Sequence, residues 1–272
     1  MSPLTAIVVL NWNNGAETIA CLRSLGTLST ESVAVLVVDN GSTDDSVALI
    51  RSHFPAIELL ILPSNRGYAG GNNAGFAKVR EMGAQFVIFL NNDTRVEHGF
   101  VAPLVEALAT DPAAGIAVPK IFFLDRPDRI WYAGGTVRLN RGEIRHDGIR
   151  KKDGEAFSLR STTGYATGCC LAMRTADFHQ SGGFDEQFGM YCEDVDLSLR
   201  VRAAGMTVLF VPASRIWHKV SASLPGGAVR KMIRKSMATV KLLRKHHQEM
   251  GIFFYILLLP FRLAGTFFSE KI

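Results

Sequence analysis

Phe86-Val87-Ile88-Phe89-Leu90-Asn91-Asn92-Asp93 reads as a short buried strand that delivers a carboxylate at its end. Five consecutive apolar residues with no polar alternation fit a strand covered on both faces, the mark of a parallel sheet. Ligands of open α/β sheets gather at the carboxyl ends of the strands. A hard divalent cation takes oxygen ligands there and leaves positions for water or substrate phosphates. Asn and Asp are also ordinary turn residues. The stretch alone therefore leaves a metal-bearing turn and a plain capped turn both open.

On the N-terminal side, strand-like and helix-like segments alternate. Strands are predicted over 6–10, 33–38 and 57–62, and helices over 17–25, 43–51 (with Ser42 as N-cap) and 71–82. A helix over 97–109 and a strand over 116–118 follow Asp93. This alternation predicts βαβ units and a mainly parallel sheet. Beyond Pro119 the pattern breaks into a loop-rich stretch, 121–165. Regular structure returns with strands over 169–173 and 207–211 and a helix over 193–204.

The charge is unevenly placed. Residues 1–225 carry 21 Lys/Arg against 23 Asp/Glu, whereas residues 226–249 carry seven against one. The net charge of +5 thus belongs to the C-terminal end, and the main body gives no sign of a nucleic-acid partner. Residues 229–243 place apolar side chains at helical spacing beside this charge. The mostly apolar stretch Gly251–Phe268 follows, broken by Pro260 and Arg262. It is short for a bilayer span, which needs about 20 apolar residues. It fits an interfacial segment beside a polybasic helix, with a core helix or a true span as the other readings. The expected division is a catalytic domain over 1–225 and a membrane-associating tail over 226–272. Four cysteines without a C-x-x-C pair give neither a disulfide framework nor a zinc site. No signal-like N-terminus is present, so a cytoplasmic location is expected.

Four further features bear chemistry. Asp39 closes the second strand, where a carboxylate can accept from a nucleobase or a ribose hydroxyl, or can simply hold a turn. Asn65-Arg66-Gly67-Tyr68-Ala69-Gly70-Gly71-Asn72-Asn73-Ala74-Gly75 opens a helix, and glycine-rich backbone there suits a phosphate, with Arg66 adding charge. Glu193-Asp194-Val195-Asp196 sets three carboxylates at a helix start, where the helix dipole favours anions and a base can work. An ordinary charged helix start, with Asp196 and Arg200 paired at i,i+4, is the favoured reading of these residues taken alone. His218 precedes a Ser- and Gly-containing loop (Ser221, Ser223, Gly226) that could act as a lid carrying a metal ligand.

Taken in order, Ile7–Asn13, Val37–Asp44, Asn65–Gly75, Phe89–Thr94, Thr167–Arg174 and Gly183–Arg200 resemble the family 2 glycosyltransferases of GT-A fold, in particular the rhamnosyltransferase-like branch. The resemblance covers about residues 4–225, and His218 falls where such chains often carry a histidine. It implies a nucleotide site at Leu10, Asn11, Asp39, Arg66, Gly67, Asn91 and Asn92. It implies Asp93 and His218 as ligands of Mg²⁺ or Mn²⁺, and Asp194 as catalytic base with Glu193 beside it. Asn91 stands where an acid is usual, so the metal motif has one carboxylate fewer. The implied reaction is a single inverting displacement from a dTDP-, UDP- or GDP-linked sugar, with dTDP-rhamnose first. No Gln-x-x-Arg-Trp segment follows Asp194, so transfer is expected to be non-processive. The basic tail suggests a polyprenyl-diphosphate-linked saccharide or another glycan as acceptor, met at the inner face of the cell membrane. A sugar nucleotidyltransferase and a non-catalytic scaffold subunit of a membrane glycan-assembly complex are the alternatives.

Overall fold

The computed structural model describes residues 4–26, 32–220 and 227–259. Ser221, Ser223 and Gly226 of the expected lid, and the part of the apolar stretch from Pro260 onward, lie outside them. The first elements are β1 (Thr5–Asn11), α1 (Gly15–Leu25), β2 (Val33–Asp39), α2 (Ser46–His53), β3 (Glu58–Ile61), α3 (Gly67–Glu81) and β4 (Phe86–Asn91). Strands β3, β2, β1 and β4 lie side by side and parallel. Ala6 to Val9 and Val87 to Phe89 are fully buried, as strands covered on both faces must be. The register sets Asn11 against Asp39 and Leu10 against Asn91, so three polar strand ends meet at one edge.

The second half is mixed. It contains β5 (Thr94–Val96), α4 (Val101–Thr110), β6 (Ala114–Phe123), β7 (Ile130–Tyr132), β8 (Gly135–Arg138), β9 (Glu143–His146) and β10 (Ser161–Thr162). Then come β11 (Cys170–Arg174), α5 (Thr175–Gln180), α6 (Glu193–Ala203) and β12 (Thr207–His218). Strand β11 inserts antiparallel between β4 and β6, and β12 runs parallel to β6. The sheet is thus a mixed one, parallel through its four-stranded half. A register shift between Val211 and Arg215 carries β12 on toward β5.

Several expectations change. Ser42 does not cap α2, because its hydroxyl is spent on Asn11 and on the backbone N–H of Asn13. The stretch 121–165 is not mainly loop: β6 continues to Phe123, and β7 to β10 follow. Lys120 hides the continuation of β6, since it is a cation inside a strand, 4% exposed and paired with Asp153 at 2.7 Å. All four cysteines are buried and unpaired, and Cys169-Cys170 pack in the core.

The last helices, α7 (Gly227–Lys245) and α8 (Glu249–Leu257), dock on this body. Leu242 and Leu243 are fully buried. Lys245 and His246 reach the buried carboxylate of Asp196 at 2.8 and 3.0 Å. Part of the basic surface read from the sequence is therefore an internal fastening. No helix among the described residues is long and apolar enough to cross a membrane.

Candidate active site

A cleft of about 1120 Å³ opens where β1, β2 and β4 end, and α7 and α8 form its opposite wall. Of the residues singled out from the sequence, Leu10, Gly67, Asn91, Asn92 and Asp93 line it. Asn11, Asp39, Arg66, Glu193, Asp194 and His218 lie outside that lining.

Asn11 and Asp39 sit beneath the floor, both buried. The Asn11 amide donates to Asp39 Oδ1 at 2.8 Å and its carbonyl accepts from Thr18 at 2.7 Å. Asp39 Oδ2 accepts the backbone N–H of Ser42 at 3.0 Å. Asn92 donates to Thr18 at 2.9 Å. The group locks the ends of β1, β2 and β4 together and aims the turn after β4 into the cleft.

The glycine run does different work from a phosphate loop over most of its length. A Cβ at Gly71 would stand 2.5 Å from Leu10 Cδ1, and one at Gly75 2.7 Å from Val8 Cγ1. These glycines let α3 lie directly on β1 and β2. Gly67, with φ +71°, is the glycine of the run that reaches the cleft. Arg66 is paired with Glu186 at 3.3 Å at the rim.

Asp93 and His218 meet because β5 pairs antiparallel with β12, setting His218 opposite Thr94. The backbone N–H of Lys219 also donates to Asp93 O at 2.8 Å. Asp93 Oδ1 lies 3.2 Å from His218 Nε2 without an aligned hydrogen bond, and Asp93 Oδ1 and His218 Nδ1 are buried without partners. Two donors on one small divalent ion, each about 2.1 Å from it, stand about 3 Å apart. An orphaned carboxylate oxygen beside an imidazole at that spacing fits such an ion. No group of three His, Cys, Asp or Glu converges among the described residues. Water and phosphate oxygens are left to complete the shell. Next to this pair, Glu17 holds Arg95 at 2.8 Å and also Lys219. Burial would raise the Glu17 carboxyl, but hydrogen bonds from Lys219 and Arg95 outweigh it and hold the group below its ordinary value.

Glu193 and Asp194 open α6. Asp194 is half-buried, and its oxygens accept the N–H of Gly168 at 2.7 Å and of Val195 at 2.8 Å. Glu193 is buried, and its Oε2 has no partner. Burial first, and Asp194 second, push the Glu193 carboxyl well above the usual range. Two adjacent buried carboxylates do not both ionise cheaply. Burial raises the Asp194 carboxyl as well, but the N–H groups of Gly168 and Val195 counter it, so Glu193, which lacks such donors, holds its proton more strongly than Asp194 does. The segment leading into β11 ties Asp194 to the cleft. Gly168 N–H holds Asp194, and Cys169 O, one residue on, accepts the N–H of Asn91 at 2.9 Å.

Residues 6–182 match the family model described as glycosyl transferase family 2. The chain belongs to that family. Residues 152–221 of this glycosyltransferase also match a model described as the N-terminal domain of galactosyltransferase. Over 243 residues it is 30% identical to the N-acetylglucosaminyl-diphospho-decaprenol L-rhamnosyltransferase of Mycobacterium tuberculosis, covering 80% of this chain and 76% of that one. It is 26% identical over 216 residues to the rhamnosyltransferase WbbL of Escherichia coli, covering 69% and 73%. It is thus a rhamnosyltransferase-like member of family 2. Among solved structures, GalNAc-T7 with UDP, GalNAc and Mn²⁺ superposes with a TM-score of 0.72 at 17% identity, over 93% of this chain and 50% of that one. A mannosyltransferase from Pyrobaculum calidifontis with GDP-Man and Mn²⁺ gives 0.63 at 17% identity, over 95% and 70%. These two share its GT-A fold.

The glycosyltransferase cleft also holds residues that sequence reasoning missed. Trp12 is 46% exposed there, directly after a buried strand. A large aromatic at a polar strand end was the available signal. Tyr68 lines the cleft and donates to Gly168 O at 2.6 Å. Arg234, Lys241 and Arg244 reach it from α7, a contribution that helical spacing within the tail does not reveal.

Proposed function

We propose that this glycosyltransferase is an inverting, metal-dependent, non-processive enzyme. It transfers rhamnose from dTDP-rhamnose to a hydroxyl of a lipid-linked saccharide at the inner face of the cell membrane. The observation that carries this reading is the double tether at Gly168-Cys169, which ties the base Asp194 to the Asn91–Asp93 turn.

Asp93 and His218 would hold the cation. When bound there, Mg²⁺ or Mn²⁺ supplies charge neutralisation to the leaving diphosphate. Leu10, Asn91 and the exposed Trp12 border the nucleotide, while Asn11, Asp39 and Asn92 fix the floor from below, and Gly67 and Arg66 flank it. Asp194 takes the proton from the acceptor hydroxyl as that oxygen attacks the anomeric carbon. Glu193, the carboxyl of the pair without donors, holds its proton more strongly and leaves Asp194 to act as the base. The sugar–phosphate bond breaks as the new glycosidic bond forms on the opposite face, so the anomeric configuration inverts.

The relatives named for rhamnose transfer support the donor, and the relative named for a diphospho-decaprenol substrate supports the acceptor. Residues 226–272 are taken as the segment that meets the membrane. Phe253, Ile256 and Leu257 of α8 are each more than half exposed, which suits that role. The deciding experiment is thermal stabilisation by dTDP, UDP and GDP, each with and without Mn²⁺. A metal-dependent shift with dTDP, worth about 2.7 kcal/mol at 100 times Kd, supports the proposal. A shift confined to UDP or GDP replaces the donor. No shift with any of the three overturns the nucleotide–metal site.

A further inference from the structure

The wall of the cleft built by α7 and α8 has a composition that nucleotide binding leaves unused. Asp93, across the cleft, is the acidic residue of the whole lining, whereas α7 contributes three cations, Arg234, Lys241 and Arg244. Lys241 is already engaged with the Gln187 carbonyl. Arg234 makes no ion pair or hydrogen bond among the described residues, and it faces the cleft. One helical turn further on is Met237, 68% exposed and also lining the cleft. Ile256 and Leu259 continue this apolar surface. Ile256 is itself 55% exposed, and its neighbours Phe253 and Leu257 face outward. The wall therefore changes from a cation to an apolar strip, and the strip leads out of the cleft onto the apolar face of α8.

We propose that this wall is an acceptor subsite for a polyprenyl diphosphate. Arg234 grips the diphosphate, and Met237, Ile256 and Leu259 carry the first isoprene units out toward the bilayer. This inference rests on the functional reading above and adds to it the place and chemistry of acceptor binding.

The order of groups along the wall is the order of groups in such a molecule. In this arrangement the sugar would lie toward Asp194 and the diphosphate at Arg234, and the chain would begin at Met237, three residues or about 4.5 Å further along α7. An Arg guanidinium offers two parallel donors to phosphate oxygens. An exposed apolar strip that continues into a larger exposed apolar face marks a membrane, protein or ligand contact, and the cation at its inner end favours a lipid with an anionic head. Charge at one end and hydrocarbon at the other commit the wall to one amphiphile rather than to a second nucleotide.

The test is calorimetric binding of farnesyl diphosphate, a lipid diphosphate without sugar, to the full chain. Farnesol and inorganic diphosphate serve as comparisons. The expected result is that farnesyl diphosphate binds at least about tenfold more tightly than either fragment. Arg234→Ala and Met237→Glu should each weaken it about tenfold, leave dTDP binding unchanged, and melt within a few degrees of the parent. Farnesol binding as well as farnesyl diphosphate overturns the proposal in favour of a general membrane surface. Inorganic diphosphate binding as well as farnesyl diphosphate, or an Arg234→Ala defect in dTDP binding, overturns it in favour of a donor-phosphate role. Transfer activity is scored separately. Nucleotide binding without farnesyl diphosphate binding removes the subsite and leaves the transferase reading standing. Farnesyl diphosphate binding without turnover of any nucleotide sugar does the reverse.

Discussion

Asp93 Oδ1 and His218 Nε2 stand 3.2 Å apart, 125 positions apart in sequence, and no aligned hydrogen bond joins them. The β5–β12 ladder fixes both backbones. The contact is therefore preset by sheet pairing rather than by mutual attraction of the side chains. Preset donors facing each other fit the proposed cation.

Asp93→Ala and His218→Gln should keep the fold, because the β5–β12 backbone bonds do not depend on either side chain. Each should lose the Mn²⁺-dependent part of nucleotide stabilisation, with a rise in Kd of at least about tenfold, or 1.4 kcal/mol. Differential scanning calorimetry with dTDP and Mn²⁺ measures it. Unchanged metal dependence in both variants would remove these residues as ligands.

The carboxylate pair predicts a pH effect with a definite sign. Glu193 is raised in the folded state by burial and by Asp194. Its contribution to stability is full below the ordinary carboxylate range, where both states are protonated. It is lost as pH rises from there through the elevated folded value, because the unfolded chain releases the proton more readily. Glu193→Gln should match the parent near pH 4 and be more stable than it at pH 8, by about 1–3 kcal/mol. Denaturant melts at the two pH values check this, and a parent whose stability does not fall over that interval refutes it. Asp194→Asn should lower turnover by about 10²–10⁴-fold, whereas Glu193→Gln keeps measurable activity.

The four parallel strands and the carboxylates at their ends were legible because long unbroken apolar runs such as Phe86–Leu90 have few other uses. The rest depended on contacts remote in sequence. Thr94–Val96 is three residues long and becomes a strand through pairing with Ile216–His218. The extension of β6 passes through Lys120, a residue that argues against a buried strand until Asp153 neutralises it. Ser42 reads as a cap, but Asn11, 31 positions earlier, claims its hydroxyl. The tail reads as a separate basic face because Asp185 and Asp196, the partners of Lys245, are 60 and 49 positions away.

The glycine run offers a contrast within one motif. Gly75→Ala would put a Cβ 2.7 Å from Val8 Cγ1 and 2.8 Å from Val38 Cγ2, two stiff β-branched side chains. It should cost about 1–3 kcal/mol of stability and leave nucleotide affinity unchanged. Gly67→Ala meets the Gly189 carbonyl at 2.8 Å in a left-handed backbone that borders the cleft. It should weaken dTDP binding. Equal loss of dTDP affinity in both variants would return the whole run to a phosphate-binding role.

Asp196 fastens the tail. It is fully buried and accepts from Arg200 Nε at 2.8 Å, Lys245 Nζ at 2.8 Å and His246 Nε2 at 3.0 Å. Arg200 in turn donates to Gly183 O at 2.7 Å, so one carboxylate joins α6, the turn before it and the end of α7. Removing the shared acceptor strands three donors at once. Asp196→Ala should therefore cost about 3–5 kcal/mol, near the lower end because Arg200 and Lys245 are partly hydrated. Lys245→Met leaves two donors on the carboxylate and should cost only about 1 kcal/mol. Urea denaturation of the three proteins gives the comparison. If Asp196→Ala costs no more than Lys245→Met, the buried Leu242 and Leu243 hold the tail unaided, and the cleft wall they support does not depend on this carboxylate.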